Sequence, residues 1–148
     1  MERTCIIVKP DGVRRNLVGE IINRLERGGL SVRAIKMINA EIGTLREHYS
    51  AHVDKPFYKG LEAYMTEGPI VAMVFEGFDA IRKARDLTGH TDPSKAEKGT
   101  IRGDLGEDSL EKADSEGRGL RNLIHASGTK EEGEAEVKIW FDKEEILE

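Results

Sequence analysis

The stretch Arg118–Glu136 reads Arg-Gly-Leu-Arg-Asn-Leu-Ile-His-Ala-Ser-Gly-Thr-Lys-Glu-Glu-Gly-Glu-Ala-Glu, and His125 is the side chain in it with chemistry to offer. It follows an apolar step, Leu123-Ile124, and precedes three small residues, Ala126, Ser127 and Gly128. Thr129 and Glu132 then stand at the capping-box spacing that opens a helix. A histidine beside small residues, just ahead of a helix N-terminus, has space in front of it and a field that favours anions. Near neutral pH much of an imidazole is unprotonated and keeps a lone pair for attack, so the chemistry on offer is nucleophilic, with a phosphate as target. The plain alternative is a histidine that merely ends a strand.

A polyanion needs cations of its own. Lys9 closes an apolar run just before a turn, Arg85 lies on a helix that otherwise turns Ala and Ile inward, and Arg102 sits in the glycine-flanked loop Gly99-Thr100-Ile101-Arg102-Gly103-Asp104. Singly, each reads as a solvated charge; together with His125 they describe a phosphate site. Other chemistries are absent. There is no Gly-x-x-x-x-Gly-Lys-Ser/Thr loop, no dinucleotide fingerprint beyond Gly117-x-Gly119, no nucleophile elbow and no cysteine pair for zinc. His48 and His52 have a helical spacing that could hold a metal, but without the zinc-protease motif they read as two surface histidines.

The elements that must position these residues follow from periodicity. Cys5–Val8 is a buried-strand run, and Lys9-Pro10-Asp11-Gly12 ends it with turn chemistry. Leu17, Val18, Ile21, Ile22 and Leu25 predict a helix with Glu20 and Arg24 paired outside, and Gly28-Gly29 stops it. Leu30, Val32 and Ala34 alternate as a half-buried strand whose phase slips at Ile35, the mark of a bulge or a change of face. Thr44 with Glu47 predicts a helix to about Ala51, and Phe57, Leu61, Tyr64 and Met65 another. Ile70–Phe75 is a central strand, Ala80–Leu87 an amphipathic helix, and 88–121 has no sustained period beyond a brief helix at Asp92-Pro93. After the helix from Thr129, Val137, Ile139 and Phe141 alternate as a last strand, and a charged tail follows. This order allows a ferredoxin-like sandwich or a small doubly wound domain.

The 148 residues suit one domain, and 38% hydrophobic with 34% charged residues describes a soluble chain with a heavily solvated surface. A net charge of −5 argues against nucleic-acid binding through a basic face. The single Cys5 excludes an internal disulfide and suits a reducing compartment. With no signal-peptide pattern and no apolar stretch near membrane-span length, the reading is cytoplasmic, with no membrane partner.

The chain resembles the nucleoside diphosphate kinase family, on six fragments in the family's order: Val8-Lys9-Pro10-Asp11-Gly12-Val13; Glu47-His48-Tyr49 with Lys55-Pro56-Phe57-Tyr58; Gly68-Pro69-Ile70-Val71; Thr91-Asp92-Pro93; Gly99–Asp104; and Asn122-Leu123-Ile124-His125-Ala126-Ser127. The resemblance implies a ferredoxin-like four-stranded antiparallel sheet with helices on its faces. It implies Mg²⁺-dependent, ping-pong transfer of the terminal phosphate of ATP to nucleoside diphosphates. It also implies self-association, usually as a hexamer and sometimes as a tetramer. By motif, His125 becomes phosphorylated, Glu136 holds its ring with Ser127 nearby, and Tyr49 lies close. Lys9, Arg85, Thr91 and Arg102 meet the phosphates, Arg102 bidentately; Asn122 with Lys9 reaches the sugar; Phe57 covers the base and Leu61 lines its slot. No protein metal ligand is implied, the Mg²⁺ arriving on the nucleotide phosphates.

Three departures stand out. The segment 105–121 is about ten residues longer than the family's usual link, an extension shared by archaeal-looking members. Gly128 stands where many members carry Asp, and Lys98 where Pro is common. The competing function is a non-catalytic nucleotide-sensing or assembly module on the same scaffold; such a copy is expected to lose the His, Lys or Arg residues, and here all are present.

Overall fold

The computed structural model describes all residues, 1–148. In chain order it contains β1 (Glu2–Val8), α1 (Pro10–Arg14), α2 (Val18–Arg27), β2 (Ser31–Ile38), α3 (Ile42–His48), α4 (Tyr58–Met65), β3 (Ile70–Gly77) and α5 (Ala80–Thr88). A 3₁₀ turn (Pro93–Lys95) then leads to α6 (Ile101–Leu105), α7 (Leu110–Ser115), β4 (Ile124–Ala126), α8 (Lys130–Trp140) and a last 3₁₀ turn (Lys143–Glu145). The four strands form one sheet in the order β2-β3-β1-β4, every neighbouring pair antiparallel. This is the ferredoxin-like arrangement, with helices on both faces.

Successive strand residues point to opposite faces, and the two inner strands use both. Ile6 and Val8 of β1 with Val71, Met73 and Phe75 of β3 pack under Ile21 and Leu25 of α2 and Ala80 and Ala84 of α5. Cys5 and Ile7 with Ile70, Ala72 and Val74 pack on the other face against Leu45 of α3, Met65 of α4 and Val137 and Trp140 of α8. The unbroken apolar runs of β1 and β3 are therefore central strands buried on both sides. Ile7 lies opposite His125 in the β1–β4 register, so the His125 side chain leaves the sheet on the face covered by α3 and α8. That register choice decides which helices meet the histidine.

Several expectations are corrected. Val137, Ile139 and Phe141 do not form a strand: α8 runs through Trp140, and Val137 and Trp140 share a helical face. The fourth strand is Ile124–Ala126, too short to show a period. Lys9–Gly12 is not a tight turn but the entry to α1, with Pro10 in the first turn where its missing N–H costs nothing. Thr44 does not cap α3, which begins at Ile42 after Glu41, and the helix ends at His48 rather than near Ala51. The segment 88–121 carries α6 and α7, each capped by a hydroxyl: Thr100 accepts from Gly103 N and Ser109 from Lys112 N. The bulge in β2 falls between Val32 and Ala34, just before the residue where the phase slips.

Other expectations hold. Thr129 caps α8 through Glu132 N, Asp92 caps the turn at Pro93 through Ser94 N, and Glu20 pairs with Arg24 at 2.8 Å. The charged tail docks on β2, with Leu147 N donating to Arg33 O at 2.9 Å. No helix is long and apolar enough to cross a membrane.

Candidate active site

The cleft forms where the ends of β1 and β4 meet α3, α4, α5, α6 and α8. Just before β4 the chain makes a three-residue turn: Ile124 N donates to Asn122 O at 2.8 Å, and Leu123 between them has φ 71°. A buried leucine in the left-handed region is strained by about 1–2 kcal/mol and persists only where its surroundings hold it. Here they do. Lys9 N donates to Leu123 O at 2.8 Å, and the Arg102 guanidinium donates to Asn122 O, Gly89 O and Ile124 O at 3.1, 3.2 and 2.5 Å. The clasp aims β4 and its histidine.

The His125 ring is 16% exposed, and its Nε2 lies 2.9 Å from Glu136 Oε1. Ser127 Oγ, fully buried, donates to the same oxygen at 2.6 Å and accepts from Cys5 N at 3.0 Å. A carboxylate only accepts, so Nε2 carries the proton and Nδ1 is left with the lone pair. Burial, then Lys9, Arg102 and Arg85, hold the imidazolium well below the usual histidine range, so the ring is neutral near pH 7. Burial raises the Glu136 carboxyl, against His48, the Ser127 hydroxyl and Arg85, which lower it.

Three cations surround the ring. The buried Lys9 donates from Nζ to Asn122 Oδ1 at 2.8 Å and lies 5.6 Å from the Tyr64 ring centre. Burial and then Arg102 push its pKa down to about 7, with Asp11 opposing. Burial and then Arg85 bring Arg102 down to about 10. Arg85 is exposed, with one long contact of 3.4 Å to Ala126 O.

The other sequence candidates gather in the same cleft of about 1230 Å³. Asn122 donates to Thr91 O at 3.0 Å, so its amide ties Lys9 to the Thr91 loop. The Tyr49 hydroxyl is buried without a partner, and burial, then Glu136, raises its pKa. Phe57 is 52% exposed and stands over the opening rather than in the core. Leu61 lies beside it, half-buried. Ser127 alone does not line the cleft; it sits behind Glu136.

Four features go beyond the sequence reading. His48 is no surface residue: its side chain is 1% exposed, its Nδ1 accepts from Trp140 Nε1 at 2.9 Å, and its ring lies 4.5 Å from that of His125. The signal was its spacing of three from the buried Leu45 on one helix face. Asp11, buried, accepts from the Tyr64 hydroxyl below Lys9. The extension forms a wall: Leu110 and Asp114 of α7 with Gly117–Leu120 line the cleft. Finally, Glu132 Oε2 accepts from Gly128 N at 3.0 Å and lies 2.6 Å from where a Cβ on Gly128 would stand.

The sequence profile described as Nucleoside diphosphate kinase matches residues 2–146. Among similar proteins, the nucleoside diphosphate kinase of Picrophilus torridus is 49% identical over 148 residues, all of both chains. That of Archaeoglobus fulgidus is 46% identical, covering 99% of this chain and 91% of its own. Among solved structures, a transition-state mimic of the Borrelia burgdorferi nucleoside-diphosphate kinase with bound vanadate and ADP superposes with a TM-score of 0.94 at 36% identity, covering 99% of this chain and 90% of that one. A halophilic nucleoside diphosphate kinase from Halobacterium salinarum in complex with CDP gives a TM-score of 0.89 at 44% identity, covering 99% of this chain and 91% of that one.

Proposed function

This chain belongs to the nucleoside diphosphate kinase family, and from that premise we propose that His125 is the residue its phosphate passes through. The enzyme is a phosphotransferase: the terminal phosphate of ATP moves to a histidine and from there to a nucleoside diphosphate. The observation that carries the assignment is the His125–Glu136 hydrogen bond, which occupies Nε2 and leaves Nδ1 bare among Lys9, Arg85 and Arg102.

The Nδ1 lone pair attacks the γ-phosphorus. The bond from that phosphorus to the β–γ bridging oxygen breaks, and its electron pair leaves with ADP. The phosphorylated ring, still protonated at Nε2, is then cationic, and Glu136 stabilises it. A second nucleoside diphosphate enters the same cleft and reverses the step. Lys9, Arg85 and Arg102 take up charge on the transferring group. Arg102 does this from a fixed position, since three of its five N–H groups hold backbone carbonyls and two remain. Arg85, nearly unpartnered, is free to swing onto phosphate. Tyr49 and Thr91 complete the phosphate end, and Asn122 with Lys9 faces the sugar. Phe57 and Leu61 form the base slot, where stacking accepts any base.

The family's reaction requires a divalent metal, and we assign Mg²⁺. The cleft has no cage of convergent oxygens for a hard dication: Glu136 is already engaged, and cations surround His125. The residues fit a metal carried by the phosphates, where it neutralises their charge. Glu132 Oε2 lies 2.6 Å from where a Cβ on Gly128 would stand, so Glu132 is a carboxylate beside the place of the Asp this chain lacks and would be the one available to hold water of such a metal. We propose that the molecule is one domain that works in the cytoplasm as a hexamer, with a tetramer the second assembly. The exposed apolar Ile35 and Met37 on edge strand β2 support self-association.

Incubation with γ-labelled ATP tests the assignment. An acid-labile, alkali-stable label, discharged by ADP and missing from His125→Ala, is the expected result. An unlabelled wild type, or a labelled His125→Ala, overturns it and leaves the non-catalytic module.

A further inference from the structure

The floor of the cleft holds a histidine that the transfer leaves unused. His48 ends α3, and its buried ring stands edge-on to His125 at 76°. Trp140 has a single polar hydrogen, and it goes to His48 Nδ1. Burial, followed by the neighbouring His125, brings the pKa of His48 down to about 3, so the ring is neutral in the working range. A neutral imidazole that accepts at Nδ1 carries its proton at Nε2. That buried Nε2–H has no hydrogen-bond partner and faces Glu136 Oε2 at 3.7 Å. His125 and Ser127 both bind the other carboxylate oxygen, Oε1.

His48, His125 and Glu136 also bring their ligand atoms within 4.8 Å of one another, as a metal site would. The surroundings oppose that occupant. Lys9, Arg102 and Arg85 all act on His125, and a cation on Nε2 would displace the hydrogen bond to Glu136. The cluster is better matched to a chain of N–H donors ending on one carboxylate.

Resting on His125 as the nucleophile, we propose that His48 is a positioning residue: Trp140 fixes its tautomer, and its Nε2–H holds Glu136 Oε2 while Oε1 holds the reacting ring. Closing 3.7 Å to a hydrogen bond takes a shift of under about 1 Å. The shift has a cause within the reaction. Once the Nδ1 lone pair has bonded to phosphorus and ADP has left with the bridging oxygen's electrons, the ring is cationic and draws the carboxylate. A second donor keeps that carboxylate ionised and stops it from rotating. The His48 side chain is 1% exposed, with Nδ1 taken by Trp140 and Nε2 turned to Glu136, so it acts through Glu136.

The groups that meet Glu136 are His48 at the end of α3, His125 and Ser127 of β4 and its exit, and Arg85 of α5; Cys5 of β1 and Tyr49 feel its charge. Removing the His48 N–H raises the Glu136 carboxyl further. Since the carboxylate is the working form, the acidic limb of the phosphorylation rate then moves to higher pH.

The test is single-turnover phosphorylation of the full chain by ATP across pH, with ADP affinity measured beside it. Wild type that labels and His125→Ala that does not establish the nucleophile independently. In His48→Phe the phosphorylation rate falls about 10-fold, the scale of one hydrogen bond to a charged group, with ADP affinity unchanged and the acidic limb raised. His48→Gln, which can offer an amide N–H, recovers to within about 3-fold of wild type. A His48→Phe rate and acidic limb equal to wild type overturn the proposal, as does a His48→Gln no better than Phe. If His48→Phe does not fold, Trp140→Phe carries the test, because it keeps the ring and removes the lock. Its rate then falls by up to about 10-fold and its acidic limb moves to higher pH, and wild-type values for both overturn the proposal.

Discussion

Lys9 is the one cation of the site whose charge is in play near neutral pH. Its ordinary pKa lies near 10.4, and burial followed by Arg102 brings it down to about 7. At pH 8 the free enzyme therefore holds Lys9 mostly neutral, and a polyphosphate placed beside it favours the charged form. Binding of ADP at pH 8 should take up close to one proton, up to about 0.9. Calorimetry in buffers of different ionisation enthalpy reads this directly. Lys9→Arg, charged at every working pH, should lose most of the uptake; uptake equal to wild type would place the proton elsewhere. Glu136→Gln tests the ring's partner in the same way. The amide keeps the shape but can donate, so it no longer dictates which nitrogen of His125 is bare. The rate of His125 labelling should fall about 100-fold or more while ADP affinity holds. A fall in affinity alone would show Glu136 to be a binding residue instead.

At the level of elements, the sequence was most legible where burial is two-sided or a cap is chemical. Cys5–Val8 and Ile70–Phe75 became inner strands because every side chain in them meets a helix layer. Thr129 and Asp92 begin helical turns through hydroxyl and carboxylate bonds that spacing alone reveals. What could not be read was short or depended on distant partners. β4 has three residues, held by its register with β1 and by the Arg102 clasp from α6. His48 looked like surface because Trp140, 92 residues away, is what buries its Nδ1. The extension belongs to the same class, since its fold rests on contacts no period shows. Arg118 pairs with Asp108 at 2.7 and 2.9 Å, Asp108 also accepts from Arg121 N at 2.9 Å, and Arg118 holds its carboxyl far below the usual range. Gly119 packs on Gly60 of α4 so closely that an added Cβ would lie 2.7 Å from Gly60 O. Arg118→Ala should loosen this wall without moving His125. KM for nucleoside diphosphates should rise several-fold, about 3- to 10-fold for one charge-assisted pair. kcat should hold, and hydrogen exchange over 108–120 should quicken. Unchanged KM with fast exchange would mean that the wall does not touch nucleotide.

Across the whole molecule, the two cores are not covered to the same extent. α3, α4 and α8 extend over the face that holds His125, whereas α2 and α5 leave the outer end of the opposite face bare. Ile35 and Met37 lie opposite Met73 and Val71 of β3, which point into the first core, yet they are 52% and 60% exposed because no helix of the same chain reaches them. The tail meets β2 through Leu147 and Glu145, at Arg33 and Lys36, and Ile146 packs on the second core. An uncovered apolar end on an edge strand is the surface a second copy would bury. Every residue assigned to the transfer comes from one chain, so assembly should support stability rather than complete the site. The double substitution Ile35→Glu with Met37→Glu places like charges at that contact. It should lower the mass in solution and make the melting temperature lower than wild type and independent of concentration. His125 should still take label from ATP. Undiminished mass would move the interface away from β2, and loss of label in a folded monomer would show that a neighbouring subunit completes the cleft.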